Sequence, residues 1–170
     1  MQDFWKIIKT RRSIRKYTKE EIPEGDIRKI IEAAMSGPSA ANSQPWHFII
    51  VKSRSILNEI PKANPYAQMA KDAAIAIVVC GDPKLDRVPQ FWQQDCSIAA
   101  QNILLAAHSL GYGAVWTGAY PMEDRYKNLQ KLLGIPSSII PLAVIPIGKP
   151  AEKKEGNKPY LEDRVHIDKW

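Results

Sequence analysis

The sequence has no long hydrophobic run, only two cysteines, three histidines and few aromatics. Its strongest apolar stretches, AIAIVVC and IIPLAVIPI, are strand length and fall short of the roughly 18 to 20 residues that a membrane span needs. The stretch from Cys96 to Met122 carries no formal charge, but Gln101, Asn102, His108, Ser109 and three glycines by Gly118 interrupt it; it reads as a buried helix followed by a buried strand. The start, MQDFWKIIKTRRS, lacks an apolar segment behind a basic one, so no secretory signal is expected there. Cys80 and Cys96 sit inside apolar patterns, which excludes a disulfide framework and suits a reduced, cytoplasmic protein. His47, His108 and His166 have no partner at metal-ligand spacing and neither cysteine belongs to a C-x-x-C pair, so no metal site is expected. G-x-S-x-G, Walker A and H-E-x-x-H patterns are absent, and with them the visible machinery of hydrolysis and phosphoryl transfer.

What remains is 170 residues, 45% of them hydrophobic, enough for one folded unit with a real core. The net charge of +6 suits an anionic ligand or a nucleic acid and does not choose between them. EIPEGDIRKIIEAAMSG places Ile27, Ile30, Ile31 and Ala34 at helical spacing, with acids in its first turn and Gly37 as a stop. HFIIVK and AIAIVVC read as strands, the second apolar on both faces and therefore central. Polar, helix-compatible residues from Arg54 to Asp72 lie between them, broken by Pro61 and Pro65. DCSIAAQNILLAAHSLG is a helix apolar nearly all round, as in a dimer or a layered core. YGAVWTG follows as a short strand, MEDRYKNLQKLLG as a helix with Leu129, Leu132 and Leu133 inward, and IIPLAVIPIG as a strand. This alternation predicts a layered mixed fold. Gly111 and Gly113 follow a helix and precede a strand, the reverse of a dinucleotide fingerprint, and read as a helix cap and a tight turn. From Lys149 the chain turns charged, ending in Val165, Ile167 and Trp170, a tail suited to clasping a second subunit.

Three elements carry chemistry. In TRRSIRKY, behind a short amphipathic segment with Phe4, Ile7 and Ile8, the residues Arg11, Arg12, Ser13 and Arg15 offer guanidinium forks and a hydroxyl to a phosphate; a solvated basic turn is the plainer alternative. In GPSAANSQPWHF, Pro38, Ser39 and Ala40 let a flat ring lie against the backbone while Asn42 and Gln44 supply amides for its polar edge; a simple helix-to-strand loop is the plainer alternative. In AVWTGAYP, small residues expose backbone groups after a buried strand, or simply end it with Trp116 in the core.

Together RRSIRKY, IIEAAMSGPSAANSQPWHFIIV, LGYGAVWTGAYP, LLGIPSSIIPLAVIPIGKPAEKK and RVHIDKW resemble the nitroreductase family of FMN-dependent oxidoreductases over nearly the whole chain. The resemblance implies an α+β fold, a three-layer α/β/α sandwich with a mixed, mainly antiparallel sheet, in an intertwined homodimer with FMN at the interface. It implies one FMN-binding domain over residues 1–170, with 149–170 as the tail that clasps the partner. By this likeness Arg11, Arg12, Ser13 and Arg15 hold the phosphate and the near edge of the flavin. Pro38, Ser39, Ala40, Asn42 and Gln44 come from the second subunit, Trp116, Thr117 and Gly118 lie beside the reactive edge, and Gly148 and Lys149 close the phosphate end. The chain departs from the family where relatives often place an Asn and a basic residue, here among Tyr66, Gln68, Met69 and Lys71, and where Pro159 precedes Tyr160.

The resemblance further implies a ping-pong reaction in which NADH or NADPH is the donor and a nitroaromatic or quinone the acceptor, with no catalytic side chain. A reductive dehalogenase or a flavin-fragmenting enzyme is the alternative within the family, and those relatives usually carry extra lid segments that this compact chain has little room for. A non-enzymatic flavin carrier and a basic nucleic-acid-binding module are alternatives outside it, the last disfavoured because the aromatics are scattered rather than gathered into a stacking platform.

Overall fold

An apolar run without polar alternation has to be covered on both faces, and β2 (Ile75–Gly81) is buried at every residue. The computed structural model describes residues 4–155 and 160–170. In chain order the helices are α1 (Phe4–Thr10), α2 (Glu24–Met35), α3 (Arg54–Ala63), α4 (Trp92–Ser109) and α5 (Glu123–Leu133). The other strands are β1 (Trp46–Val51), β3 (Gly113–Ala114), β4 (Thr117–Gly118) and β5 (Ile140–Gly148). The sheet runs β1-β2-β5-β3, with β4 also on β5, and every ladder is antiparallel. A parallel bridge between Ser13 and Ala114 is its one mixed feature among the described residues.

The period of two along β2 divides the core. Ile75, Ile77 and Val79 pack with Ile27 and Ile30 of α2 and Ala99 and Ile103 of α4, whereas Ala76, Val78 and Cys80 pack with Leu57 and Ile60 of α3 and Leu129 of α5. The architecture is therefore α+β, with helices on both faces of an antiparallel sheet. Each wholly buried Ile or Leu in these layers contributes about 1.5–3 kcal/mol by leaving water. Both thiols lie within this core and are unpaired. Burial pushes the Cys80 thiol up to about 12 and that of Cys96 higher still, so neither is a nucleophile.

Two details differ from the sequence reading. The strand expected over YGAVWTG is two short pieces, β3 and β4, in one continuous register on β5. Opposite the gap stands Pro146, which has no N–H to donate and whose carbonyl accepts from the Tyr17 hydroxyl at 3.2 Å. Helix α3, expected to break at Pro61, runs on to Ala63. Pro61 falls in its last turn, where little ladder remains to lose, and the chain turns at the buried Asn64, whose side chain accepts from the Tyr66 N–H to begin a 3-10 turn over Pro65–Asp72.

Helix α1 buries none of its residues, leaving Phe4, Trp5 and Ile8 exposed. The segment after β5 begins against the chain's own N-terminal strip: the Thr18 N–H donates to Lys149 O, Tyr17 bridges Pro150, and the Ala151 N–H donates to Lys16 O. Residues 160–170 are exposed throughout, Ile167 and Trp170 almost completely. Pro159, a departure noted in the sequence, lies outside the described residues.

Candidate functional site

The RRSIRKY segment forms an extended strip held on both sides. Ile14 donates its N–H to Ala114 O at 3.1 Å, and the Arg15 N–H donates to Glu152. Lys154 donates to Ser13 O at 2.9 Å. Ile14 and Tyr17 turn inward with Ala73 and Met69. The fit is close enough to exclude side chains: a Cβ on Gly113 meets Ile14 at 2.6 Å, and one on Gly148 meets Tyr17 at 3.0 Å. The two glycines face each other in the β3–β5 ladder. Arg11, Arg12, Ser13, Arg15, Gly148 and Lys149 are thus brought to one end of the sheet. A cavity of about 420 Å³ opens there, walled by Arg12, His108, Lys153 and Lys154 together with Glu152 and Glu155.

Glu152 and Glu155 at this end pair with Lys154 and Lys153, which leaves the charge of the arginines without a carboxylate partner among the described residues. Among the described residues, Arg11, Arg12, Arg15 and Lys149 take part in no ion pair, and the Arg12 guanidinium donates only to the carbonyls of Lys9 and Arg11. Partial burial, then the neighbouring Arg12, lowers the pKa of Arg11. Burial, then Arg11 and Arg12, lowers that of His108, whose Nε2 lies 2.8 Å from Thr10 Oγ1. The Arg12 charge thus opposes those of both Arg11 and His108, an arrangement that suits an anion.

The sign of the His108 shift makes a prediction. Because the folded state lowers this pKa, it favours the neutral ring, and the stability gained is present above the ordinary value of 6.5 and lost as pH falls through it toward the folded value. An anion beside Arg11 and Arg12 removes the repulsion. Adding inorganic phosphate is therefore expected to move the His108 proton-resonance titration to higher pH; a midpoint that stays fixed at saturation rejects this seat.

Toward the other edge, Trp116 is half-buried and Thr117 is buried, its hydroxyl donating to Val144 O at 2.7 Å. Gly118 O accepts from the Asn64 side chain at 3.1 Å. The Pro65–Asp72 turn, which carries Tyr66, Gln68, Met69 and Lys71, is thereby tied to β4. Tyr66 is exposed beneath the Arg125 guanidinium, 4.4 Å from its ring centroid.

The loop with Pro38, Ser39, Ala40, Asn42 and Gln44 stands elsewhere. Ala41, Asn42 and Gln44 all have positive φ, at 49°, 53° and 48°, a conformation that costs of order 1–3 kcal/mol per non-glycine residue and persists only where surroundings impose it. Here the Gln44 N–H donates to Ser39 Oγ, the Gln44 amide to Asn42 Oδ1, Ser43 Oγ to Ala40 O, and Ala40 N–H to Asp95 Oδ1 at 3.0 Å. Arg87 adds its N–H to Ser43 Oγ and its guanidinium to Ala41 O. Pro38, Asn42 and Gln44 remain exposed.

Helix α4 measures the separation of the two groups. His108, beside the arginines, is at its C-terminal end and Asp95, beneath the loop, is in its first turn. At 1.5 Å per residue these points are roughly 20 Å apart. Within one chain the structure gathers the arginines with Gly148 and Lys149, and holds the 38–44 loop apart from them. The sequence reading missed Asp95, Arg87, Asn64 and His108. Only Asp95 left a signal, an acid inside an otherwise apolar helix.

The model of the Nitroreductase family matches residues 8–70 and 57–149. A protein of Methanothermobacter thermautotrophicus, provisionally named an NADH dehydrogenase/NAD(P)H nitroreductase, is similar at 56% identity over 99% of this chain and 88% of its own length. A crystal structure from Parabacteroides distasonis under the same provisional name superposes with a TM-score of 0.94 at 40% identity, covering 100% of both chains. A provisionally named nitroreductase from Desulfovibrio desulfuricans, solved in complex with FMN, superposes with a TM-score of 0.84 at 26% identity over 100% of this chain and 99% of that one.

Proposed function

The chain belongs to the nitroreductase family, and on that premise we propose a homodimer in which both protomers hold each FMN and electrons pass from NAD(P)H to a nitroaromatic or quinone in a ping-pong cycle. The protein is a flavin-dependent NAD(P)H oxidoreductase. FMN, when bound, accepts hydride from the nicotinamide and delivers electrons to the acceptor. Every other task falls to the chain's own residues.

The residues fit a phosphorylated flavin, because Arg11, Arg12, Arg15 and Lys149 gather at one end of the sheet with no ion-pair partner among the described residues, and a phosphate there offsets the charge that Arg12 sets against Arg11 and His108. Arg11, Arg12 and Ser13, with Gly148 and Lys149, hold that phosphate, and Arg15 meets the near edge of the ring. Trp116 walls the opposite edge, where the backbone of Thr117 and Gly118 is presented. Pro38, Ser39, Ala40, Asn42 and Gln44 cover the ring from the partner subunit.

The observation that carries this reading is the placement of the arginines and the loop at opposite ends of α4. A single ligand meets both sets where two chains bring them together. The exposed Phe4 and Ile8 of α1 and the exposed Val165, Ile167 and Trp170 support a large protomer interface. Residues 1–170 act as one flavin-binding unit, and clasping of the partner by the 149–170 tail falls on 160–170. No helix among the described residues is long and apolar enough to cross a membrane. Unpaired thiols and a nicotinamide donor suit the cytoplasm.

FMN-loaded protein is expected to absorb in the visible as a dimer, and anaerobic NADH or NADPH to bleach it until a quinone is added. Protein that stays colourless after loading, or flavin that neither nucleotide bleaches, defeats the proposal.

A further inference from the structure

Asp95 is 3% exposed and forms no ion pair among the described residues. One carboxylate oxygen accepts the Ala40 N–H, and the other is buried without any hydrogen-bond partner. A buried acid with an orphaned oxygen is costly in a helix whose neighbours, Cys96, Ala99, Ala100 and Ile103, form apolar core. Nor does α4 need Asp95 for capping, because Asp86 Oδ2 already accepts from Phe91 N at 3.1 Å and Trp92 N at 3.0 Å. The positive end of the helix makes the charge tolerable and gives it no task. Its one contact outside α4 among these hydrogen bonds is the loop.

That contact falls at a decisive point. Asn102 fixes the entry to the loop by donating to Ala33 O, and the Asp82 N–H fixes its exit at Pro45 O. Between these anchors Asp95 grips Ala40, immediately before the positive-φ residues Ala41 and Asn42. An amide bonded to a carboxylate is held more firmly than one bonded to a neutral acceptor.

We propose that Asp95 is the positioning residue of the 39–44 loop and acts, through that loop, on the flavin held by the partner subunit. This rests on the two-chain site proposed above. Asp95→Ala frees Ala40, lets the left-handed residues relax, and removes Asn42 and Gln44 from the facing site. Asp95→Asn retains an acceptor for the Ala40 N–H and restores it.

FMN titration of the dimers tests this. Asp95→Ala is expected to weaken binding about tenfold or more through loss of the charge-assisted bond, and Asp95→Asn, which keeps a neutral acceptor for the Ala40 N–H, to remain within about threefold of wild type. Mixed dimers with differently tagged chains provide the reading that simple destabilisation does not give. One chain carries Asp95→Ala and the other Arg11→Gln with Arg15→Gln. The first keeps its phosphate seat and receives an intact loop, so one FMN per mixed dimer is expected at a concentration where neither parent homodimer loads. If Asp95→Ala does not fold, Asp95→Glu, which displaces the same charge by one methylene, replaces it with the same expectation. An empty mixed dimer, an Asp95→Ala protein that binds like wild type, or an Asp95→Asn protein as impaired as the alanine variant overturns the proposal. Wild-type protein that takes up no FMN overturns the flavin reading beneath it, a result distinguishable from the other three.

Discussion

Replacing Arg11 and Arg15 together with glutamine is expected to weaken FMN binding by about 100-fold or more, from two lost charge-assisted hydrogen bonds at about 1.5 kcal/mol each. The low end of the range applies because Arg15 is exposed and Arg11 only partly buried, so solvent screens both. Among the described residues neither guanidinium supports the fold through an ion pair, and the strip is held by backbone bonds from Ile14 and Arg15 and by buried Ile14 and Tyr17. The unfolding temperature without FMN should therefore hold or rise slightly, since the Arg11 charge that faces Arg12 and His108 is gone. Quenching of FMN fluorescence measures the first quantity and calorimetry the second. Affinity within about fivefold of wild type would place the phosphate elsewhere, since even one such bond contributes more.

Gly113→Ala is expected to damage both stability and flavin binding. The new methyl lies 2.6 Å from Ile14 Cγ2 and 2.7 Å from its Cβ, and a β-branched side chain locked in the core has no free end to swing away. Overpacking of this kind costs about 1–3 kcal/mol, or roughly 2–10 °C in unfolding temperature for a chain of this size. The strip can escape only by moving off β3, which carries Arg11 and Ser13 with it, so FMN affinity should fall as well. Gly25→Ala is the internal control. It sits in α2 with nothing within 4 Å of the added methyl, and should be neutral or stabilising by up to about 1 kcal/mol. If both alanines behave alike, the close approach of strip and sheet is not what limits the site.

The layers were readable because they rest on periodicity. Ile27, Ile30 and Ala34 marked the buried face of α2, and AIAIVVC could be covered only from both sides. The basic strip stood out as a candidate too, with three arginines and a serine in five positions, although a solvated turn was the plainer reading of the cluster alone. What escaped the reading lies in pairings between distant segments. The split of the strand after α4 is caused by a proline in the facing strand, and no property of YGAVWTG announces it. The left-handed backbone at Ala41 and Gln44 is imposed on residues that do not prefer it, so only the contacts of Ser39, Arg87 and Asp95 explain it. The tie between Thr10 and His108 joins residues almost a hundred positions apart.

That same distance bears on the order in which the molecule is made. The arginines are synthesised before the groove in which they lie, because Gly113, Gly148 and the 149–152 segment that line it all come later in the chain. A nascent chain therefore has no place to dock the 11–17 strip until the 149–152 segment has emerged.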